Sequence, residues 1–99
     1  MRTQEGELFH GLKIGDTVHK HYVLREATTA DLIDAEEDAP VSRQIAYQAS
    51  LVARQTQKLG TFEGPLTMEM VRKLHPDDFN ALVEAQQSLG AAGAIAEKK

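Results

Sequence analysis

The stretch R-E-A-T-T-A-D-L, Arg25 to Leu32, is where the hydrophobic spacing changes character, and the fold turns on how it is read. Thr28 stands three residues before Asp31. That spacing lets the hydroxyl accept a hydrogen bond from the third helical N–H while the carboxylate reaches back to the cap. Asp31 would also lie in the first helical turn, where the helix dipole favours a negative charge. A helix capped by Thr28 is therefore expected. Leu32, Ile33 and Ala35 form its narrow apolar side, and Asp34, Glu36, Glu37 and Asp38 join Asp31 in solvent. Acids gathered at its far end oppose the dipole, so it should end near Ala39-Pro40.

Upstream of this joint, apolar side chains fall on even positions: Leu8, Leu12 and Ile14, then Val18, Tyr22 and Leu24. Gly15-Asp16 supplies turn chemistry between them. Two period-2 segments around a short turn predict a β-hairpin, Glu7 to Ile14 and Thr17 to Arg25, with one buried face. Such a hairpin is marginal alone, so that face must pack on something. Residues 1–6 are polar and expected to be flexible.

Downstream, Pro40 suits a helix start. Val41, Ile45, Ala49, Val52 and Leu59, with Thr56 in the gap, make a helical stripe that Tyr47 and Leu51 widen. One long helix over 41–59, stopped by Gly60, is the expectation. Thr61 to Leu66 reads as a loop. Thr67 caps a short helix to Leu74, and Pro76, Asp77 and Asp78 open another. Phe79, Leu82, Val83 and Leu89 form its stripe, Gly90 its stop, and 90–99 a flexible tail. The predicted fold class is α+β: an N-terminal two-stranded antiparallel β-hairpin followed by about four helices, in a single domain over 7–89.

Bulk properties narrow the functional classes. The chain has 99 residues, 41% of them hydrophobic, a net charge of −4 and no cysteine. No disulfide framework, thiolate metal site or cysteine nucleophile is available. The N-terminus lacks the apolar run of a secretory signal, and no segment approaches the ~20 apolar residues of a membrane span. The basic residues are scattered and do not form a stripe that would track phosphates. The expectation is a soluble intracellular protein that binds neither nucleic acid nor membrane.

Chemistry-bearing clusters are sparse. His19 and His21 lie two apart on a strand and His10 could approach from its partner, but zinc usually wants three or four supported ligands. They are read as solvent-facing strand residues, and His75 as a helix-entry residue. The acids from Asp31 to Asp38 lack the alternation and central glycine of a calcium loop. Asp77 and Asp78 are adjacent, so they point apart on a helix and suit its positive end. Thr28, Thr29, Ser42, Ser50 and Ser88 sit in no nucleophile elbow, and the G-L-K-I-G-D stretch has the wrong spacing for a phosphate loop. No catalytic residue, cofactor or metal ligand is assigned. Phe62, in a loop beside Gly64-Pro65, and Met68, off the Val71/Leu74 face, stand outside the stripes. Either they close the core over that loop, or they face a partner.

The order of segments resembles the phage tail assembly chaperone family of Mu-like and P2-like contractile-tailed phages. An R-E-x-T-x-x-D-L joint is matched by Arg25, Glu26, Thr28, Asp31 and Leu32, and a closing L-T-x-x-x-x-x-L-x-x-x-D-F unit by Leu66, Thr67, Leu74, Asp78 and Phe79. Many relatives carry proline where this chain has Ala27. The resemblance spans Gly11 to Leu89. It implies a protein without catalytic residues that coats apolar segments of the tape measure protein in the host cytoplasm and is absent from the mature virion. It also implies, as a further partner, a longer form of the chain made by translational frameshift, with homo-oligomerisation a possibility. The implied binding wall is the helix pair Thr67 to Leu89 with Phe62, and the candidate contacts are Phe62, Leu66, Met68, Met70 and Phe79. The alternatives are a structural tail-completion or connector subunit, and a host-directed acidic binding protein.

Overall fold

A computed structural model describes residues 2–40 and 42–97, with side chains through Leu89. Its elements are β1 (Thr3–Ile14), β2 (Thr17–Arg25), α1 (Thr29–Asp38), α2 (Gln44–Gln55), β3 (Thr56–Leu59), β4 (Phe62–Glu63), α3 (Met68–Arg72) and α4 (Pro76–Glu97). The class is α+β, as expected, but the hairpin is the outer half of a four-stranded antiparallel sheet ordered β1-β2-β3-β4. Helices α2 and α4 lie against this sheet, and α1 packs outside α2. The other sheet face, with Glu5, Glu7, His21 and Lys58, is exposed.

β1 begins at Thr3, ahead of the expected Glu7, so residues 3–6 of the segment read as a flexible start are strand, and Met1 lies outside the described residues. Thr3, Gln4, Glu5 and Gly6 pair with Arg25, Leu24, Val23 and Tyr22. Backbone pairing carries this segment, so the side chains show no hydrophobic alternation to read. Gly6 lies directly beneath the Tyr22 ring, where a Cβ would collide with the phenol. Beyond Glu7↔His21 the register slips: Leu8 to Gly11 on β1 occupy the space opposite Lys20 alone, and pairing resumes at Leu12↔His19. Gly11 takes φ +86°, and a Cβ there would stand 2.7 Å from Val18 Cγ1, so glycine is the residue that can make this bulge. The slip changes the parity of β2. Tyr22 and Leu24 face the core as the alternation predicts, but His19 is buried in place of Val18, which is exposed.

The expected 41–59 helix divides at Thr56. Its first position, Val41, lies outside the described residues, and helix α2 ends at Gln55. Thr56 turns to extended backbone (φ −73°, ψ 112°) while its N–H and hydroxyl both donate to the Val52 carbonyl. Residues 56–59 then pair with β2 through Leu24↔Thr56, Val23↔Lys58 and Tyr22↔Leu59. Both Thr56 and Leu59 are buried because the ladder is irregular between Val23 and Leu24. A spacing of three thus serves a strand here, although it reads as one helical turn. Gly60 (φ +60°) belongs to the β3–β4 turn and is not a helix stop, and Phe62–Glu63 is a short strand where a loop was expected.

Helix α1 is capped as read, but it is rotated: Asp31, Ala35 and the C-cap Ala39 are buried, while Leu32 (44%) and Ile33 (57%) are exposed. Thr67 caps α3 by accepting from the Met70 N–H. Helix α4 runs past Gly90 to Glu97, so Gly90 does not stop it. Leu24, Leu59, Val52 and Leu82 centre the core; burying each leucine of this kind contributes about 2–3 kcal/mol.

Candidate functional site

The joint that decides the fold is a polar lock. Arg25 donates to both carboxylate oxygens of Asp31, Nη1 to Oδ2 at 2.6 Å and Nη2 to Oδ1 at 3.0 Å. The same guanidinium donates to the carbonyls of Glu26 and Arg54. Asp31 Oδ2 also accepts the Thr28 N–H at 2.8 Å, and Thr28 Oγ1 accepts the Asp31 N–H at 3.1 Å, completing the capping box. The Arg25 hydrogen bonds, with further help from Thr28 and against the cost of burial, hold the Asp31 carboxyl at about 2, below its ordinary 3.8. Asp31 in turn raises the Arg25 pKa, its hydrogen bond outweighing burial. Gln55 donates to the Arg25 carbonyl, so hairpin, α1 and the end of α2 meet here. Glu26 accepts from Arg2 at 2.8 Å. Asp38 then binds α1 to α2, accepting from the Ser50 hydroxyl and from Arg54, both at 2.7 Å, which lowers its pKa. Leu32, the apolar residue of the joint motif, points outward.

Asp78 performs a second structural task. It is 0% exposed, in the first turn of α4, and its carboxylate receives three consecutive N–H groups of the β1 bulge. Phe9 donates at 2.7 Å, His10 at 3.2 Å to each oxygen, and Gly11 at 2.9 Å. The bulge N–H groups lost to the β-ladder are thereby satisfied.

The histidines do not gather as the hairpin reading would allow. His19 is 8% exposed, contrary to the solvent-facing expectation; its Nδ1 accepts the Thr61 N–H at 3.3 Å, and its ring covers Gly60. His21 stays exposed, 3.0 Å from Glu5 Oε1. His10 is turned away from both, toward α4.

An apolar groove runs between α2, α3 and the start of α4, with a volume of about 390 Å³. Ile45, Ala49, Met68, Val71, Leu74 and Phe79 line it, and Tyr47 and Val83 continue it along α2 and α4. Ile45 projects into it and is 76% exposed. Of the five candidate contacts, Met68 and Phe79 line the groove. Phe62 and Met70 are partly buried against the core elsewhere, and Leu66 is a core residue whose N–H donates to the Ala53 carbonyl. Sequence reasoning missed Ile45 and Ala49, because they belong to the stripe assigned wholly to the core. The N-terminal half of α2 overhangs that core, so the stripe's first turns face the groove.

Fold and surface together define a class: a small α+β domain with a clamped joint and an open apolar groove between helices. No helix among the described residues is long and apolar enough to cross a membrane. The chain belongs to the tail assembly protein gp41 family of Mu-like phages, whose family model matches residues 8–99. It is 35% identical over 81 residues to the probable tail assembly protein gp41 of Escherichia phage Mu, covering 69% of this chain and 56% of that protein. Over the same length it is 35% identical to the probable tail assembly protein FS-gp41 of phage Mu, of which 43% is covered. It is 30% identical over 96 residues to the Mu-like prophage FluMu protein gp41 of Haemophilus influenzae, covering 85% of this chain and 76% of that one. The chain thus spans about half the length of the two phage Mu relatives it matches. No solved structure matches it.

Proposed function

We propose that the chain is a tail assembly chaperone that holds an amphipathic helical segment of the tape measure protein in the α2–α3–α4 groove, within the cytoplasm of the bacterial host. The observation that carries this reading is Ile45, a large aliphatic side chain left in solvent within an almost wholly apolar groove. A groove of this shape accepts the apolar face of a helix, whose side chains recur every three or four residues. Family membership supports the setting of tail morphogenesis.

Co-expression with the tape measure protein, followed by pull-down and thermal melting by circular dichroism, tests it. Ile45→Asp should abolish capture and leave the melt nearly unchanged; undiminished capture would remove the groove from consideration. Mass spectrometry of purified virions should find the chain absent. Its presence at stoichiometric level would favour a tail-completion or connector subunit instead.

A further inference from the structure

The curl of β1 brings His10 against the residues that open α4. The His10 and His75 rings stack with centroids 3.9 Å apart and planes inclined by 27°. Asp77 Oδ2 lies 3.5 Å from His10 Nε2 and 3.5 Å from His75 Nδ1. Among the described residues, this is the one set of three such side chains whose donor atoms lie within 4.8 Å of one another. We propose that His10 Nε2, His75 Nδ1 and Asp77 Oδ2 bind a divalent transition-metal ion of the zinc class, which fastens the β1 bulge to the start of α4.

The spacing suits an ion. Two ligands each about 2.1 Å from a tetrahedral zinc stand about 3.4 Å apart, and both nitrogen–oxygen separations here are already close to that edge. Two imidazoles and one carboxylate, with no thiolate, select zinc, nickel, cobalt or copper over magnesium or calcium, which prefer an all-oxygen shell. The tautomer is suitable as well. His75 Nδ1 accepts the Asp77 backbone N–H at 3.1 Å, so it presents a lone pair, and an ion would displace that one contact.

The surroundings favour positive charge. The cleft beside the cluster is lined by the carboxylates of Glu7, Asp77 and Glu84 and by no basic side chain. Their field opposes the positive end of the α4 dipole. Asp78, the other acid in this turn, is committed to the bulge N–H groups. The three proposed ligand side chains are each about half exposed. Water can therefore fill the remaining coordination position, and the His10 ring can swing out of the stack without disturbing the core. Without an ion, the same groups would form only an exposed charge contact of little stabilising value.

Thermal unfolding of the full chain near neutral pH, with Zn²⁺ alone as probe and Mg²⁺ as comparison, tests the proposal. Zn²⁺ should raise Tm by at least about 4 °C and Mg²⁺ should not. The rise should vanish in His10→Ala and in His75→Asn, which retains a side chain able to accept the Asp77 N–H. It should persist in His21→Ala, whose ring lies on the open sheet face. Titration with Co²⁺ gives a second readout: a visible d–d band in the unaltered chain that His10→Ala removes. No Tm rise in the unaltered chain, a rise that survives His10→Ala, or one that is lost with His21→Ala would each overturn the site.

Discussion

Asp31 caps α1 and clamps Arg25 with one carboxylate, so its protonation state is coupled to folding. Its folded pKa of about 2 lies below the ordinary 3.8. A depressed acid contributes stability that is fully present above the unfolded value and is lost as pH falls toward the folded one. The contribution is on the order of 2 kcal/mol, and it should disappear between about pH 4 and pH 2. Urea unfolding at pH 5 and pH 3 should show that Asp31→Asn loses most of this difference and is less stable at the higher pH. Asp78 makes a stronger case for geometry. Replacing it with alanine strands three bulge N–H donors and should cost about 3 kcal/mol or more, with Asp78→Asn in between. The Thr28–Asp31 cap was legible because a capping box is a local rule with a fixed spacing. The purpose of Asp78 was not: its partners lie 67–69 residues away, and nothing within its own helix signals them.

Elements were legible in proportion to how locally they are determined. The hairpin turn, the caps at Thr28 and Thr67, and the start of α4 at Pro76 all follow from neighbouring residues, whereas Pro40 does not open α2, which begins at Gln44. β3 was misread because Thr56 and Leu59 keep a helical spacing while their hydrogen bonds go to β2. Long-range pairing outweighs local periodicity there. NMR should decide it directly: Cα secondary shifts over 56–59 are expected to be negative, as in a strand, and those over 44–55 positive. The bulge was hidden for a related reason, since a register slip leaves no mark in the residue pattern beyond a glycine. Gly11→Ala, forced to hold φ +86° against Val18, should lose about 1–2 kcal/mol by chemical denaturation. Leu32 and Ile33 were placed inward by hydrophobicity, but the Arg25–Asp31 clamp rotates α1 so that its acidic capping residue faces in.

At the scale of the whole molecule, the core and the groove share Ala49, Val71 and Leu74 as a common floor, and they differ in the residues furthest from it. Leu82 is buried at the core's centre and Ile45 is not. Leu82→Ala should therefore cost about 3 kcal/mol, whereas Ile45→Asp should change stability by less than about 0.5 kcal/mol. Equilibrium unfolding of the two variants checks both. The groove was half legible: Met68 and Phe79 stood out or matched a motif, whereas Ile45 blended into a stripe whose two ends serve different neighbours. The Asp78 clasp also dictates an order of events during synthesis. The first strand leaves the ribosome long before the acid that secures its curl, so the amino-terminal ribbon is made first and completed last. A nascent chain halted short of residue 78 should hold β2 against a β1 that still slides, and its amides at Phe9, His10 and Gly11 should exchange with solvent as freely as those of an unfolded peptide.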